Sequence, residues 1–484
     1  MSGINQLINY PVPSGADLNH YFEVKVRPVG SEEWSHIPCY TVKVDMHDVR
    51  KASVAYFDFI GSVEVEVKTG VMEIFQVDIR PLSRKIQAKI EKKTFRFRLD
   101  QPENLSIEIN KDRFRNLHLF AGKPQDEEKI KNGDNVHIIK GSISRPSIIN
   151  VKDLVRELSF MADGRTLYFE AGIYYFEECC MEVPSNTNIY LAGGAIIKGG
   201  FICEEVQNIK IYGRGIVYQA CFERFMALRG VRISYGESIS IEGITFINPP
   251  HYTIFLGQSK DITIRNVKTF SCEGWSDGFD MMSCENIHID NCFLRTSDDC
   301  IAIYGRRWRY NGPSRNILVE NTILWADVAH PTMIGTHGDY QNDGNIIENI
   351  VFRNIDILEH HEIQAEYLGC LTINAGDKNF IKNITYENIR IEEIEHGKIF
   401  DFQVKCNPDY NPAPGKGIEN VLVRNLSYYG KEAVPSCIKG YSEDRMVKNI
   451  HFENLSIGGK LVESPDIKEI VIGKHTENIS FSII

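Results

Sequence analysis

Asp277, in "GWSDG", and the adjacent pair Asp298 and Asp299, in "RTSDDCIAI", stand 21 residues apart within an otherwise apolar stretch. Carboxylates are costly in apolar surroundings and repel one another when close. At least one member of such a cluster therefore keeps its proton near neutral pH. A protonated carboxyl beside an ionised one is the pair that glycoside hydrolysis uses: one protonates the leaving oxygen, the other activates water or attacks the sugar. Asp280 alternates with these residues one strand position further on and reads as structural.

Three of the four tryptophans, Trp275, Trp308 and Trp325, lie near the aspartates. Aromatic faces stack on sugar C–H surfaces, so these are candidate substrate contacts. His337, in the Gly-flanked "GTHGDY", is a candidate for tuning a carboxylate by hydrogen bonding. Arg306, Arg307 and Tyr340 complete the candidate substrate-binding set. No metal-ligand spacing and no cofactor motif is evident, so catalysis without metal or cofactor is the expectation.

These residues need a scaffold that stacks positions about 21 apart, and the sequence contains one. A phrase returns from about residue 188: "NIYL", "NIKI", "SISI", "DITIRNV", "NIHIDNC", "NILVENT", "NIVFRNI", "NITYENI", "NVLVRNL", "NIHFENL" and "NISF", with starts 20 to 37 residues apart. Each phrase holds a short strand of period-two alternation. Most are followed at the fifth position by another asparagine: Asn266, Asn291, Asn321, Asn354, Asn388, Asn425 and Asn454. Asparagine tolerates the left-handed backbone region, and its amide bonds backbone at turns. The pattern predicts an all-β chain built on a right-handed parallel β-helix, with asparagines stacked along one corner. Coils would rise by about 4.8 Å, placing Asp277 and Asp298 one above the other.

Residues 1–125 read differently. "YFEVKVRP", "YTVKVD", "ASVAYFDFIGSVEVEVK" and "TFRFRLD" alternate without a long period, which predicts an N-terminal antiparallel β-sandwich. The β-helix domain is expected over 126–484. "GKPQDEEKIKNGDN" reads as a linker, and a helix near 150–163, capped by Asn150, is expected to cover the open end of the solenoid. The net charge of −11 and the lack of a basic run argue against nucleic-acid binding. No apolar run reaches the roughly 18 residues of a membrane span. The start lacks a secretory pattern and the twelve cysteines are scattered, so a cytoplasmic location is the expectation.

"SDG", "SDDCIAI" and "THG" resemble the motifs of glycoside hydrolase family 28, the polygalacturonase group, over roughly residues 150–460. The resemblance implies a β-helix enzyme in which Asp298 is the general acid, Asp277 and Asp299 activate water, and the anomeric centre is inverted. One coil rise alone points instead to the closer spacing of retaining enzymes. Trp275, Ser297 and Thr336 replace the Asn, the Gly and the first Gly of the family's motifs, and no Arg-x-Lys follows His337. That basic pair holds a uronate carboxylate in the family, so the expectation is an exo-acting hydrolase of a neutral α-linked oligosaccharide. The sandwich-plus-helix order is also similar to dextranase-type family 49 enzymes. A lyase or epimerase on the same fold, or a non-catalytic glycan-binding solenoid, are the rival readings.

Overall fold

The computed structural model describes residues 5–70 and 73–484. The N-terminal strands form two facing sheets. One has Arg50–Ile60 at its middle, flanked by Gln6–Ile8, Tyr40–Val44 and Asp112–Gly122, and extends through Glu103–Ile109 to Val77–Arg80. The other runs Ser35–Ile37, Phe22–Pro28, Val63–Thr69, Thr94–Leu99, Lys89–Glu91. All pairings are antiparallel except that of Asp112–Gly122 with Arg50–Ile60, which is parallel. The sandwich expected from the alternating runs is therefore present.

Arg50–Ile60 lacks polar alternation because both of its faces are covered. Ala55, Phe57 and Phe59 enter the sandwich core with Val24, Val65 and Leu117. Ala52, Val54 and Tyr56 face the second domain, against Ile173, Ile196, Phe270, Phe293 and Ile323. Charged groups cross the same interface. Arg80 donates to Glu108, Glu359 and Glu392 at 2.5, 2.9 and 2.7 Å, and Arg214 to Asp58 at 2.8 Å. Each guanidinium is buried with a carboxylate partner, the arrangement a buried charge requires.

The remainder is a parallel β-helix with three short strands per coil. Phe279–Met282, Glu285–Asp290 and Phe293–Thr296 make one coil; Ile301–Tyr304, Ser314–Glu320 and Ile323–Ala326 make the next, each strand pairing in parallel with its equivalent. Isoleucine, valine and phenylalanine from all three faces fill one continuous core. The asparagines form two ladders rather than one. Asn286, Asn316, Asn349, Asn383, Asn420, Asn449 and Asn478 pass side-chain hydrogen bonds of 2.8 to 3.2 Å down one corner. Asn321, Asn354, Asn388, Asn425 and Asn454 line a second corner. All have φ between 52° and 59°, the left-handed region that asparagine tolerates better than other non-glycine residues.

Within the expected linker, Glu127–Lys131 is a short helix capped by Asp126. The end-covering helix is Val151–Leu158, with the Asn150 side chain accepting from the Asp153 N–H at 2.9 Å and Val151, Leu154 and Leu158 buried in the helix core.

Candidate active site

The three sheets meet at corners, and one corner carries the chemistry. Ile254, Phe279, Ile301 and Thr332 pair in register on successive coils. Two residues before them stand Tyr252, Asp277, Asp299 and His330. Backbone bonds lock these turns together: Thr253 N–H donates to Asp277 O, Gly278 N–H to Asp299 O and Cys300 N–H to His330 O, each at 2.8 Å. The stacking inferred from the repeat is thus achieved, with Asp299, rather than Asp298, in register with Asp277.

Asp277, Asp298 and Asp299 each bring an oxygen within 4.8 Å of the others, a grouping that could also take a hard divalent cation. Burial and the neighbouring Asp299 push the Asp298 carboxyl up to about 6, although the N–H groups of Trp275 and Asp299 donate to it at 2.7 and 3.0 Å. Asp277 and Asp280 are both held well above the ordinary carboxylate range, chiefly by burial. Asp280 is fully enclosed, and the Arg307 guanidinium offsets part of the rise. Asp277 opens onto the pocket, and one of its oxygens has no hydrogen-bond partner among the described residues.

His330 supplies the countercharge. Its Nδ1 donates to Asp299 Oδ1 at 2.6 Å and its Nε2 to Tyr367 O at 2.7 Å. With both nitrogens donating, the ring is an imidazolium. Burial works against that charge, but the Asp299 carboxylate outweighs it and lifts the group to about 9. The Tyr304 hydroxyl donates to the other oxygen of Asp299 at 3.3 Å.

A cavity of about 350 Å³ opens over these groups, lined also by Trp275, Arg307, His337, Glu362, Tyr367 and Tyr410. Trp275 is half exposed at its rim, with the Arg224 guanidinium 4.5 Å over its ring. The Arg307 side chain makes no hydrogen bond or close ion pair among the described residues; it stands by the rings of Trp308 at 5.2 Å and Tyr304 at 5.6 Å, and its charge acts on Asp280 and Asp277. His337 lines the cavity without touching a carboxylate. Its Nδ1 meets Tyr410 O at 3.0 Å, and burial beside Arg307 pushes it down to about 3, so it is neutral. The histidine that bonds a carboxylate is His330, which the sequence reading did not pick out.

Four candidates lie elsewhere. Trp325 is not an exposed platform. It is buried under the sandwich, 3.9 Å from the Arg295 guanidinium, with its indole N–H on Asp327 at 2.8 Å. Arg306 is paired with Asp339. Tyr340 is exposed and outside the cavity lining. Trp308 borders a neighbouring groove of about 390 Å³ with Arg229, Arg232, Phe255 and Arg309. Sequence reasoning missed Tyr252, Tyr304, Glu362, Tyr367, Tyr410, Met46 and His47. For Tyr252 and His330 the signal was available: both precede an apolar strand by the same two residues as Asp277 and Asp299.

Comparison with known proteins agrees with this geometry. The chain is 24% identical over 282 residues to exopolygalacturonase B of Aspergillus niger, and 31% identical over 281 residues to the probable exopolygalacturonase B of Aspergillus terreus. Each alignment takes in 52% of this chain and 61% of the relative, so the chain spans less than two thirds of the length of these relatives. In fold it is similar to Dex49A from Penicillium minioluteum (TM-score 0.69, 15% identity, covering 98% of this chain and 96% of the other). It is also similar to an exopolygalacturonase from Thermotoga maritima (TM-score 0.52, 16% identity, covering 74% and 95%). Residues 223–472, just over half of the sequence and including every carboxylate of the site, match Glycosyl hydrolases family 28, and the chain belongs to that family.

Proposed function

We propose that this protein is an inverting glycoside hydrolase that removes sugar units from the end of an α-linked oligosaccharide carrying uronate groups. The observation that carries the reading is the division of labour among three adjacent carboxyls. Asp298, pushed up to about 6, holds a proton to give to the leaving oxygen. Asp299 accepts a hydrogen bond of 2.6 Å from the His330 imidazolium. Paired carboxyls whose environments push them apart are the mark of an acid and a base at work.

In this mechanism the glycosidic oxygen takes the Asp298 proton as its bond to the anomeric carbon breaks. Positive charge that develops on the ring is offset by Asp277 and Asp299. A water held by those two carboxylates loses a proton to them and attacks from the opposite face. The close approach of the oxygens, within 4.8 Å, is tighter than the separation usual for inverting enzymes. Two bases sharing one water is the arrangement that accommodates it.

The missing Arg-x-Lys suggested a neutral substrate, but the pocket supports a charged one. Arg307 lines the sugar site with no close ion pair to its guanidinium, and a guanidinium suits a carboxylate. Lys405 does not offer a free charge there, being held by Asp401 at 3.1 Å and lying 4.5 Å from the Tyr367 ring. The names of the Aspergillus relatives point the same way. Exo action is supported by the hairpin of Arg306–Arg307 and Tyr310–Asn311, which stands beside the cavity.

The test is mass spectrometry of the protein incubated with α-1,4-trigalacturonate and with isomaltotriose, alongside Asp298→Asn. Single-residue release with gain of one water, absent in the variant, is expected from the uronate. Cleavage of isomaltotriose alone would overturn the charge assignment. Unsaturated products formed without water would replace hydrolysis by elimination.

A further inference from the structure

The turn between Tyr40–Val44 and Arg50–Ile60, at the tip of a sandwich hairpin, reaches across the domain boundary into the catalytic pocket. Met46 and His47 line it together with Asp277, Asp298 and Asp299. We propose that this tip is a sugar-contacting wall that determines substrate length, so that the N-terminal domain completes the active site.

The tip is built for a fixed position. Asp45 has φ 59°, and its side chain accepts the His47 N–H at 3.1 Å, a local turn that turns the chain back. The Met46 N–H donates to Ser297 Oγ at 3.1 Å. Ser297 precedes the catalytic pair and stands where the family motif has glycine, so the departure acquires a purpose: only a side chain at 297 gives the tip an acceptor. Two coils earlier the buried Asn248 amide makes two bonds of 2.8 Å to the Lys43 backbone, accepting its N–H and donating to its carbonyl. On the outer side the Arg50 guanidinium lies 3.8 Å over the Phe114 ring. The hairpin is thus pinned at two turns of the catalytic corner, two coils apart.

His47 is exposed, is not bonded through its ring to any described residue, and offers a donor and an acceptor to sugar hydroxyls. Met46 is half-buried and offers an adaptable apolar surface. With the 306–311 hairpin and the Glu362–Tyr367 turn also bordering the cavity, the tip leaves room over the carboxylates for a chain end rather than the middle of a polymer. The reverse side of His47 borders a second, smaller cavity with Arg113, Trp325 and His361, so the loop is backed by space rather than by core.

The proposal rests on the glycosidase reading, and its test separates the two. Met46→Ala/His47→Ala and Ser297→Ala are compared with the unmodified protein on trigalacturonate, and on polygalacturonate blocked at its non-reducing ends. KM for the trisaccharide should rise about tenfold, equivalent to about 1.4 kcal/mol of lost binding, with kcat within about twofold. Internal cleavage of the blocked polymer should appear, and Ser297→Ala should move both readouts in the same direction. Unchanged KM and product pattern overturn the proposal, as does a lowered melting temperature with no change in KM, which marks a purely structural tip. If the unmodified protein cleaves no saccharide, the glycosidase reading fails first and this proposal falls with it.

Discussion

His330 Nδ1 lies 2.6 Å from Asp299 Oδ1, and this contact places a buried positive charge beside the clustered carboxyls. Replacing His330 by Phe removes the positive charge beside Asp299 and its neighbouring carboxyls. We expect kcat to fall by about 10² to 10³, as when one preorganised charge-stabilising group is removed. The acidic limb of the pH–rate profile should move upward, a shift that a purely structural role would not produce.

Asp298 acts in its protonated form and is raised to about 6. Activity should therefore be present below that pH and be lost as pH rises through it, while the imidazolium of His330 persists to about 9. Asp298→Asn should lower kcat by about 10³, the range for loss of a general acid, with KM nearly unchanged. Steady-state rates between pH 4 and 9 check both statements.

Asp280 should cost stability rather than add it. Its folded carboxyl lies well above the ordinary value because it is buried, whereas the unfolded chain ionises freely near pH 4. The penalty is absent below that pH and grows as pH rises above it. Asp280→Asn should therefore melt about 2 °C or more above the unmodified protein at pH 7 and at the same temperature at pH 3, as read by calorimetry.

Arg307→Gln removes the guanidinium that lines the pocket. A charge-assisted hydrogen bond is worth about 1.5–3 kcal/mol, so kcat/KM on trigalacturonate should fall about 10- to 100-fold. Binding of neutral trisaccharides should not weaken. Equal losses on both substrates would remove Arg307 from carboxylate recognition.

Proton NMR of the first-formed product tests the stereochemistry. Hydrolysis of an α-linkage with water held by Asp277 and Asp299 should release the β-anomer, which then mutarotates. An α-anomer formed first would make one of these residues a nucleophile.

Asp277, Asp298 and Asp299 could be found without coordinates because their type is costly in apolar sequence and their spacing matches a coil. The repeat that announced the fold also announced its asparagine turns, although not that they form two separate ladders. His330 escaped because the coil between Asp299 and His330 is 31 residues long, against 22 from Asp277 to Asp299, so constant spacing points short of it, to Asn321. Strand-relative position, two residues before the apolar run, would have found it. Trp325 misled because nearness to the aspartates in sequence was read as exposure beside them, while the sandwich that covers it lies more than 200 residues away in sequence. Met46 reaches the site through a hydrogen bond spanning 251 residues, and no local pattern records such a contact.

The alternation along Arg50–Ile60, with one face in each core, has a consequence for inheritance. The two domains cannot be exchanged as independent modules. A gene fusion that supplied a different sandwich would leave Phe270, Phe293, Ile323 and Trp325 facing water and strand Glu359 and Glu392 without Arg80. A β-helix expressed from residue 126 onward would present that apolar stripe to its own copies and self-associate. Only recombination that carries both sides of the seam together preserves a foldable chain.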